Sequence, residues 1–210
     1  KKVLAAADLP VAPEVILKGR TELSEDEKQR LGLPVFVKPA RGGSSIGVSK
    51  VSTWEEFPAA VALALEDDEK ILVEPEIVGQ EVEIGVLHYA DGTLLASVPA
   101  LLAGIDDSDE GFYGFDTKYL DNVVTAEIPA PFAPELTEKL RDMAIRAFEA
   151  LNCEGLSRVD FFVTEDSVYI NEINTLPGFT PISMYPQVLA ASGVEYPALL
   201  EALIEQALAK

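Results

Sequence analysis

Cysteine is nearly missing: Cys153 is the only one in 210 residues, so no disulfide framework can hold this chain, and a reducing, cytoplasmic setting is compatible. Histidine is as scarce. His88 lies alone in an apparent strand, where a structural role is the simpler reading. It leaves no Ser-His-Asp or Cys-His arrangement for nucleophilic hydrolysis and no basis for zinc. Positive charge is also short, with 16 Lys and Arg against 36 Asp and Glu and a net charge of −20. Nothing offsets phosphate repulsion, which argues against non-specific binding to nucleic acid or to an anionic membrane. No apolar run is long enough to span a bilayer, and no signal peptide opens the chain. Hydrophobic residues make up 48%, enough to fill the core of one large domain or of two small lobes. A small anionic ligand held by a few converging cations and a metal remains compatible with this balance.

The alternation of patterns reads as α+β. A helix over 1–7 begins abruptly at Lys1, and the chain is read as a fragment. Strands follow over 15–17, 34–39 and 48–51, with a charged stretch of helical propensity over 22–31. Ser52 and Glu55 have the spacing of a capping box for a helix running to about residue 65. Strands at 71–74 and 81–87, a turn at Asp91-Gly92 and its partner over 93–98 complete a first lobe, residues 1–90, with the seam near 87–100. The second lobe, 91–210, opens with an acidic, glycine-containing loop over 101–115, of the length that functional lids have. A strand over 123–128 and a helix from Pro134 to about residue 152 precede a hairpin, a turn-rich loop over 175–181 and two short helices, 187–191 and 196–209.

The hairpin carries the sharpest chemistry. Ser157 to Val163 and Val168 to Asn174 are apolar and β-branched apart from polar residues set into them. Side chains alternate along a strand, so Arg158, Asp160 and Phe162 share a face, as do Glu172 and Asn174. With Thr164 paired to Val168, Asp160 falls opposite Glu172. Two carboxylates that close repel strongly when desolvated. A divalent cation resolves this, and Mg²⁺ suits an all-oxygen Asp/Glu/Asn set with room for water and phosphate. The bland alternative is a pair of strands whose acids are solvated or paired with Lys and Arg.

A second feature is the loop Ala40-Arg41-Gly42-Gly43-Ser44-Ser45-Ile46-Gly47, preceded by Lys38 at a strand end. Paired glycines permit close backbone approach, and N–H groups with two hydroxyls can cradle phosphate oxygens. It is neither a Walker A loop nor a dinucleotide fingerprint. By itself a glycine hairpin is more often just a tight turn, but with Lys38 and the acidic hairpin a nucleotide phosphate is the better explanation. The segment from Glu74 to Glu81 could offer backbone groups and a carboxylate to a base and ribose, although alone it reads as an acidic surface loop. Lys118-Tyr119 follows the lid, where a cation can reach phosphate on closure.

Taken in order, Val35-Phe36-Val37-Lys38-Pro39 with the Gly42 to Gly47 loop, Glu74 with Glu81, Lys118-Tyr119, Arg158-Val159-Asp160 and Asn171-Glu172-Ile173-Asn174-Thr175-Leu176-Pro177-Gly178 resemble the D-alanine–D-alanine ligase family of the ATP-grasp superfamily. The match covers essentially the whole chain. It implies an ATP-grasp fold, two α+β lobes with largely antiparallel sheets enclosing ATP. By the same resemblance Lys1 and Lys38 contact ATP phosphates, and Ser44, Ser45 and the Gly47 backbone form the phosphate loop. Glu74, the Ile77 backbone and Glu81 hold adenine and ribose, and Phe112 and Phe162 flank the base. Lys118 reaches the γ-phosphate, and Tyr119 locks the loop by bonding to Ser44. Asp160, Glu172 and Asn174 carry two Mg²⁺ ions, with Mn²⁺ as a substitute. Arg158 and the Gly178 N–H stabilise an oxyanion, and Ser183 binds the carboxylate of the second substrate.

The implied reaction joins two D-alanines through an acyl phosphate, for peptidoglycan precursors, in a cytoplasmic enzyme that is a homodimer at full length. Such transfer needs positioning and charge neutralisation more than covalent catalysis. The family's amino-terminal domain, which binds the first D-alanine, is absent from these 210 residues. An ATP-binding module without turnover, and another ATP-grasp carboxylate–amine ligase, are therefore the alternative expectations.

Overall fold

The alternating runs fold into antiparallel sheets, each with helices against it. The computed structural model describes residues 1–41, 46–103 and 125–209. The described residues divide into two compact units, one of residues 1–11, 78–103 and 125–209, the other of those between 12 and 77.

In the second of these, β1 (Val15–Lys18), β2 (Val35–Pro39), β3 (Ser49–Val51) and β4 (Lys70–Pro75) form a sheet in the order β1-β4-β2-β3. Val35, Val37, Ile71 and Val73 turn to one face and are fully buried with Phe57, Val61 and Ala64 of α3 (Phe57–Asp67). The opposite face carries Phe36, Lys38 and Glu74, with Phe36 directly across from Glu74. Helix α2 (Glu25–Leu31) starts at a capping box: Ser24 Oγ accepts from the Glu27 N–H at 3.2 Å, and Glu27 accepts from the Ser24 N–H at 2.8 Å. The box expected at Ser52 and Glu55 does not form. Glu56 instead takes the N–H groups of Ser52 and Thr53, closing a turn, and α3 begins only at Phe57.

The other unit is built on β5 (Gln80–His88), β6 (Leu94–Ala96), β7 (Ala100–Ala103), β8 (Thr125–Glu127), β9 (Leu156–Val163) and β10 (Val168–Asn174), in the order β10-β9-β5-β7-β8 with β6 also on β5. Because β5 pairs along its length with β9, the division falls after Ile77 and not at residue 90. Leu101 to Ala103, expected in a loop, extend β7 because Leu101 and Leu102 are buried between β5 and β8.

Helix α4 (Pro134–Ala150) presents Leu140, Met143, Ala144, Ala147 and Phe148, the spacing of one helical face, to Val82, Ile84, Val86, Val159 and Phe161. Helix α1 (Lys2–Ala6) adds Leu4 to the same core. On the other face, α5 (Met184–Ala191) and α6 (Tyr196–Leu208) pack Tyr185, Leu189 and Leu199 against Leu87 and Leu156. Helix α5 reaches the sheet because Gly85 has no side chain: a Cβ there would lie 2.5 Å from Leu189 Cδ2. No helix among the described residues is long and apolar enough to cross a membrane.

Candidate functional site

Helices α5 and α6 cover the Leu87 and Leu156 end of their face, and the polar residues of β5, β9 and β10 occupy the rest of it. Register places them in rows. Glu81 lies across from Phe162, and Phe162 from Tyr169. Glu83 lies across from Asp160, and Asp160 from Glu172. Gly85 lies across from Arg158, and Arg158 from Asn174.

The hairpin reaches this arrangement by an unexpected route. The turn pairs Val163 with Val168, not Thr164 with Val168, and is closed by Thr164 N–H donating to Ser167 O at 2.8 Å. A β-bulge between Ile170 and Glu172 then shifts the register by one, which returns Glu172 to Asp160. Without that shift Val168, Ile170, Glu172 and Asn174 would all share one face. With it, Val168 and Ile170 enter the core while Glu172 and Asn174 join the polar face.

Arg158 donates through Nε to Asp160 Oδ1 and through Nη2 to Asp160 Oδ2, both at 2.7 Å, and its Nε lies 3.1 Å from Glu83 Oε2. Asn174 Nδ2 donates to Asp160 Oδ2 at 2.9 Å and to Glu172 Oε1 at 3.4 Å. Burial of the guanidinium works against its charge, but the bonds to Asp160 and the nearby charges of Asp160, Glu83 and Glu172 outweigh it, and the Arg158 pKa stands above its ordinary value. Glu83 itself is 3% exposed. Sequence reasoning missed it. An acid in the apolar run from Val82 to Leu87, two residues from Glu81 and so on the same face, was the available signal.

In the four-stranded sheet, Lys38 Nζ sits 2.6 Å from Glu74 Oε2, and Lys50 Nζ 2.6 Å from Glu76 Oε1. Ile77 is half-buried just beyond β4. Gly47 has φ +71, and a Cβ there would lie 2.5 Å from Asp67 Oδ2. Lys1 is half-buried at the start of α1.

The loop over 175–183 is tied internally. Ser183 Oγ accepts from the Thr180 N–H at 3.1 Å, and the two hydroxyls are 2.9 Å apart. A Cβ on Gly178 would come within 3.0 Å of Ser183 Oγ. Ser183 also stands at the amino end of α5, where the helix dipole favours a carboxylate. Thr180 was not expected here. Ser44, Ser45, Phe112, Lys118 and Tyr119 lie outside the described residues.

The family described as D-ala D-ala ligase C-terminus matches residues 3–205. The chain belongs to this family. A D-alanine–D-alanine ligase of Corynebacterium efficiens is 64% identical over 208 residues, 99% of this chain and 58% of the relative. One from a Mycobacterium strain is 53% identical over 213 residues, covering all of this chain and 57% of that protein. The chain thus spans less than two thirds of the length of these ligases. Among solved structures, the ligase of Coxiella burnetii superimposes with a TM-score of 0.83 at 37% identity, over 99% of this chain and 54% of that one. The Bacillus anthracis ligase complexed with ATP gives 0.80 at 26% identity, over 99% and 63%. The fold is that of the ATP-grasp D-alanine–D-alanine ligases: α+β, with antiparallel sheets.

For a metal in this ligase fold, the donor set is the test. Asp160 and Glu172 face each other and supply hard carboxylate oxygens, with the Asn174 amide in the adjacent row. Among the described residues no cluster of three or more His, Cys, Asp or Glu is placed to hold a metal by protein groups alone. Mg²⁺ takes one or two carboxylates and completes its shell with phosphate oxygens and water, and two facing carboxylates suit it. The residues fit.

Proposed function

We propose that this chain is the nucleotide- and metal-binding portion of an ATP-dependent D-alanine–D-alanine ligase, joining two D-alanines for peptidoglycan precursors in the cytoplasm. The observation that carries the reading is the Asp160/Glu172 pair with Arg158 and Asn174 in the adjacent row, in a chain 64% identical to a named ligase. The carboxylate of one D-alanine attacks the γ-phosphorus of ATP and expels ADP. The amine of the second D-alanine then attacks the acyl phosphate, releasing inorganic phosphate and a proton.

Lys38 and Lys1 neutralise phosphate with Ser44, Ser45 and the Gly47 backbone, Lys118 contacts the γ-phosphate, and Tyr119 bonds to Ser44. Glu74, Ile77 and Glu81 take adenine and ribose, with Phe112 and Phe162 beside the base. For Lys38 and Glu74 this means exchanging their mutual ion pair for ligand contacts. Asp160, Glu172 and Asn174 would hold two Mg²⁺ ions, with Mn²⁺ as a substitute, and these would supply charge neutralisation to the transferring phosphoryl group. Arg158 and the Gly178 N–H face the oxyanion of the tetrahedral intermediate. Ser183, at the positive end of α5, orients the carboxylate of the second D-alanine. The partners are D-alanine substrates, and the full-length ligase is a homodimer.

The chain's coverage of 58% of its relative favours a second reading, an ATP-binding module that does not turn over alone. ADP release on adding D-alanine, measured with this chain and with a version extended at its amino end, separates the two. Turnover in this chain supports the first reading, turnover only in the longer version the second, and turnover in neither removes the ligase reading. Asp160→Ala and Glu172→Ala should each abolish Mg²⁺-dependent ADP release.

A further inference from the structure

Both oxygens of Asp160 are engaged by Arg158, and one of them by Asn174 as well. A divalent cation bound through Asp160 competes with the guanidinium for those oxygens. Arg158, with its side chain only 16% exposed, then needs another anion, because an unpaired buried charge is costly. Glu83 is placed to be that anion. It is deeper than Asp160, directly across from it on β5, and its Oε2 is 3.1 Å from Arg158 Nε. Nothing in the metal or nucleotide reading uses Glu83. Counted together, Glu83, Asp160 and Glu172 with Arg158 carry three negative charges and one positive, a surplus of two that one divalent cation neutralises.

We infer that Glu83 is a positioning residue: it keeps Arg158 in the site when a divalent cation takes Asp160. Arg158 shifts its pairing from Asp160 to Glu83 and remains aimed at the reaction face. This rests on the metal reading of Asp160 and Glu172.

The test is Mn²⁺ binding to the ADP-loaded chain, followed by electron paramagnetic resonance, in a double-mutant cycle. Glu83→Gln should weaken Mn²⁺ about tenfold, roughly 1.4 kcal/mol, and Glu83→Asp, which keeps the charge, should recover part of it. If Glu83 acts through Arg158, the effect of Glu83→Gln disappears in an Arg158→Gln background. If it acts only by its own charge, the tenfold loss persists there and the inference is overturned. Unchanged Mn²⁺ affinity in a folded Glu83→Gln protein overturns it too. Asp160→Asn separates the two levels: loss of Mn²⁺ binding in that variant with none in Glu83→Gln defeats the role of Glu83 alone, whereas no loss in Asp160→Asn defeats the metal reading beneath it.

Discussion

Arg41 reaches the carboxylate of Asp68 with three donors: its backbone N–H at 2.9 Å and Nε at 3.1 Å to Oδ2, and Nη2 at 2.8 Å to Oδ1. The Lys70 N–H adds a fourth bond at 3.1 Å. The Asp68 side chain is 1% exposed and that of Arg41 75%, so the buried carboxylate at the end of α3 fixes the residue that precedes the glycine-serine segment.

Asp68→Asn should therefore lower the melting temperature at neutral pH and weaken nucleotide binding several-fold, read by calorimetry. The bonds from Arg41, then the Lys70 N–H, hold the Asp68 carboxyl well below the ordinary aspartate range. A depressed pKa gives stability that is present above the ordinary value and lost as pH falls. The gap in melting temperature between parent and variant should accordingly narrow on acidification. A gap that widens in acid contradicts the assignment.

Glu27 offers a second pH test on the same unit. It receives Arg20 Nη1 at 2.7 Å and Nη2 at 2.6 Å besides closing the α2 capping box, and its pKa falls from 4.5 to about 2, first through the Arg20 bonds. Its contribution is present above pH 4.5 and fades between there and about 2. Glu27→Gln keeps the capping box and loses only the charge paired with Arg20, so it should cost a few tenths of a kcal/mol up to about 1 at neutral pH, and nothing at the acid end of that window. Urea melts at both pH values measure it.

Gly85→Ala forces a methyl to within 2.5 Å of Leu189 Cδ2 and 3.1 Å of the Tyr185 ring. Side chains must shift, so the expected loss is about 1–3 kcal/mol in denaturant titration. Gly47→Ala combines positive φ with a contact to Asp67 and should instead register as weaker nucleotide binding.

Tyr185→Phe removes a hydroxyl that donates to Val86 O at 3.0 Å in a fully buried position. Leaving that carbonyl without its donor should cost about 1–3 kcal/mol. Burial raises the Tyr185 pKa, so the tyrosinate absorbance that Tyr185→Phe removes should be a part appearing only above the ordinary tyrosine range.

Much of this was legible in the chain because period-2 and period-3.6 patterns report burial directly. The α4 stripe from Leu140 to Phe148 and the core alternation of β9 are cases where the pattern and the packing say the same thing. What was missed needed partners distant in sequence. Glu83 reads as one more acid until β5 is placed on β9. The β10 bulge was in fact written in the sequence: Val168 and Ile170 are apolar, Glu172 and Asn174 polar, yet all four have the same parity. A sheet with one buried face cannot accept that without an extra residue. The capping box was assigned to Ser52 and Glu55 on spacing alone, while Ser24 and Glu27, with the same spacing, also had Arg20 to hold the glutamate.

The pairing of β5 with β9 also sets an order of assembly. All four strands of the smaller sheet lie between residues 15 and 75, so it can close as soon as that stretch has left the ribosome. The central strand of the larger sheet must wait for β9, and Val11 for its bridge to Ile170. The face that brings Glu83 and Arg158 together across β5 and β9 therefore forms only once β9, some seventy residues further along the chain, has been made.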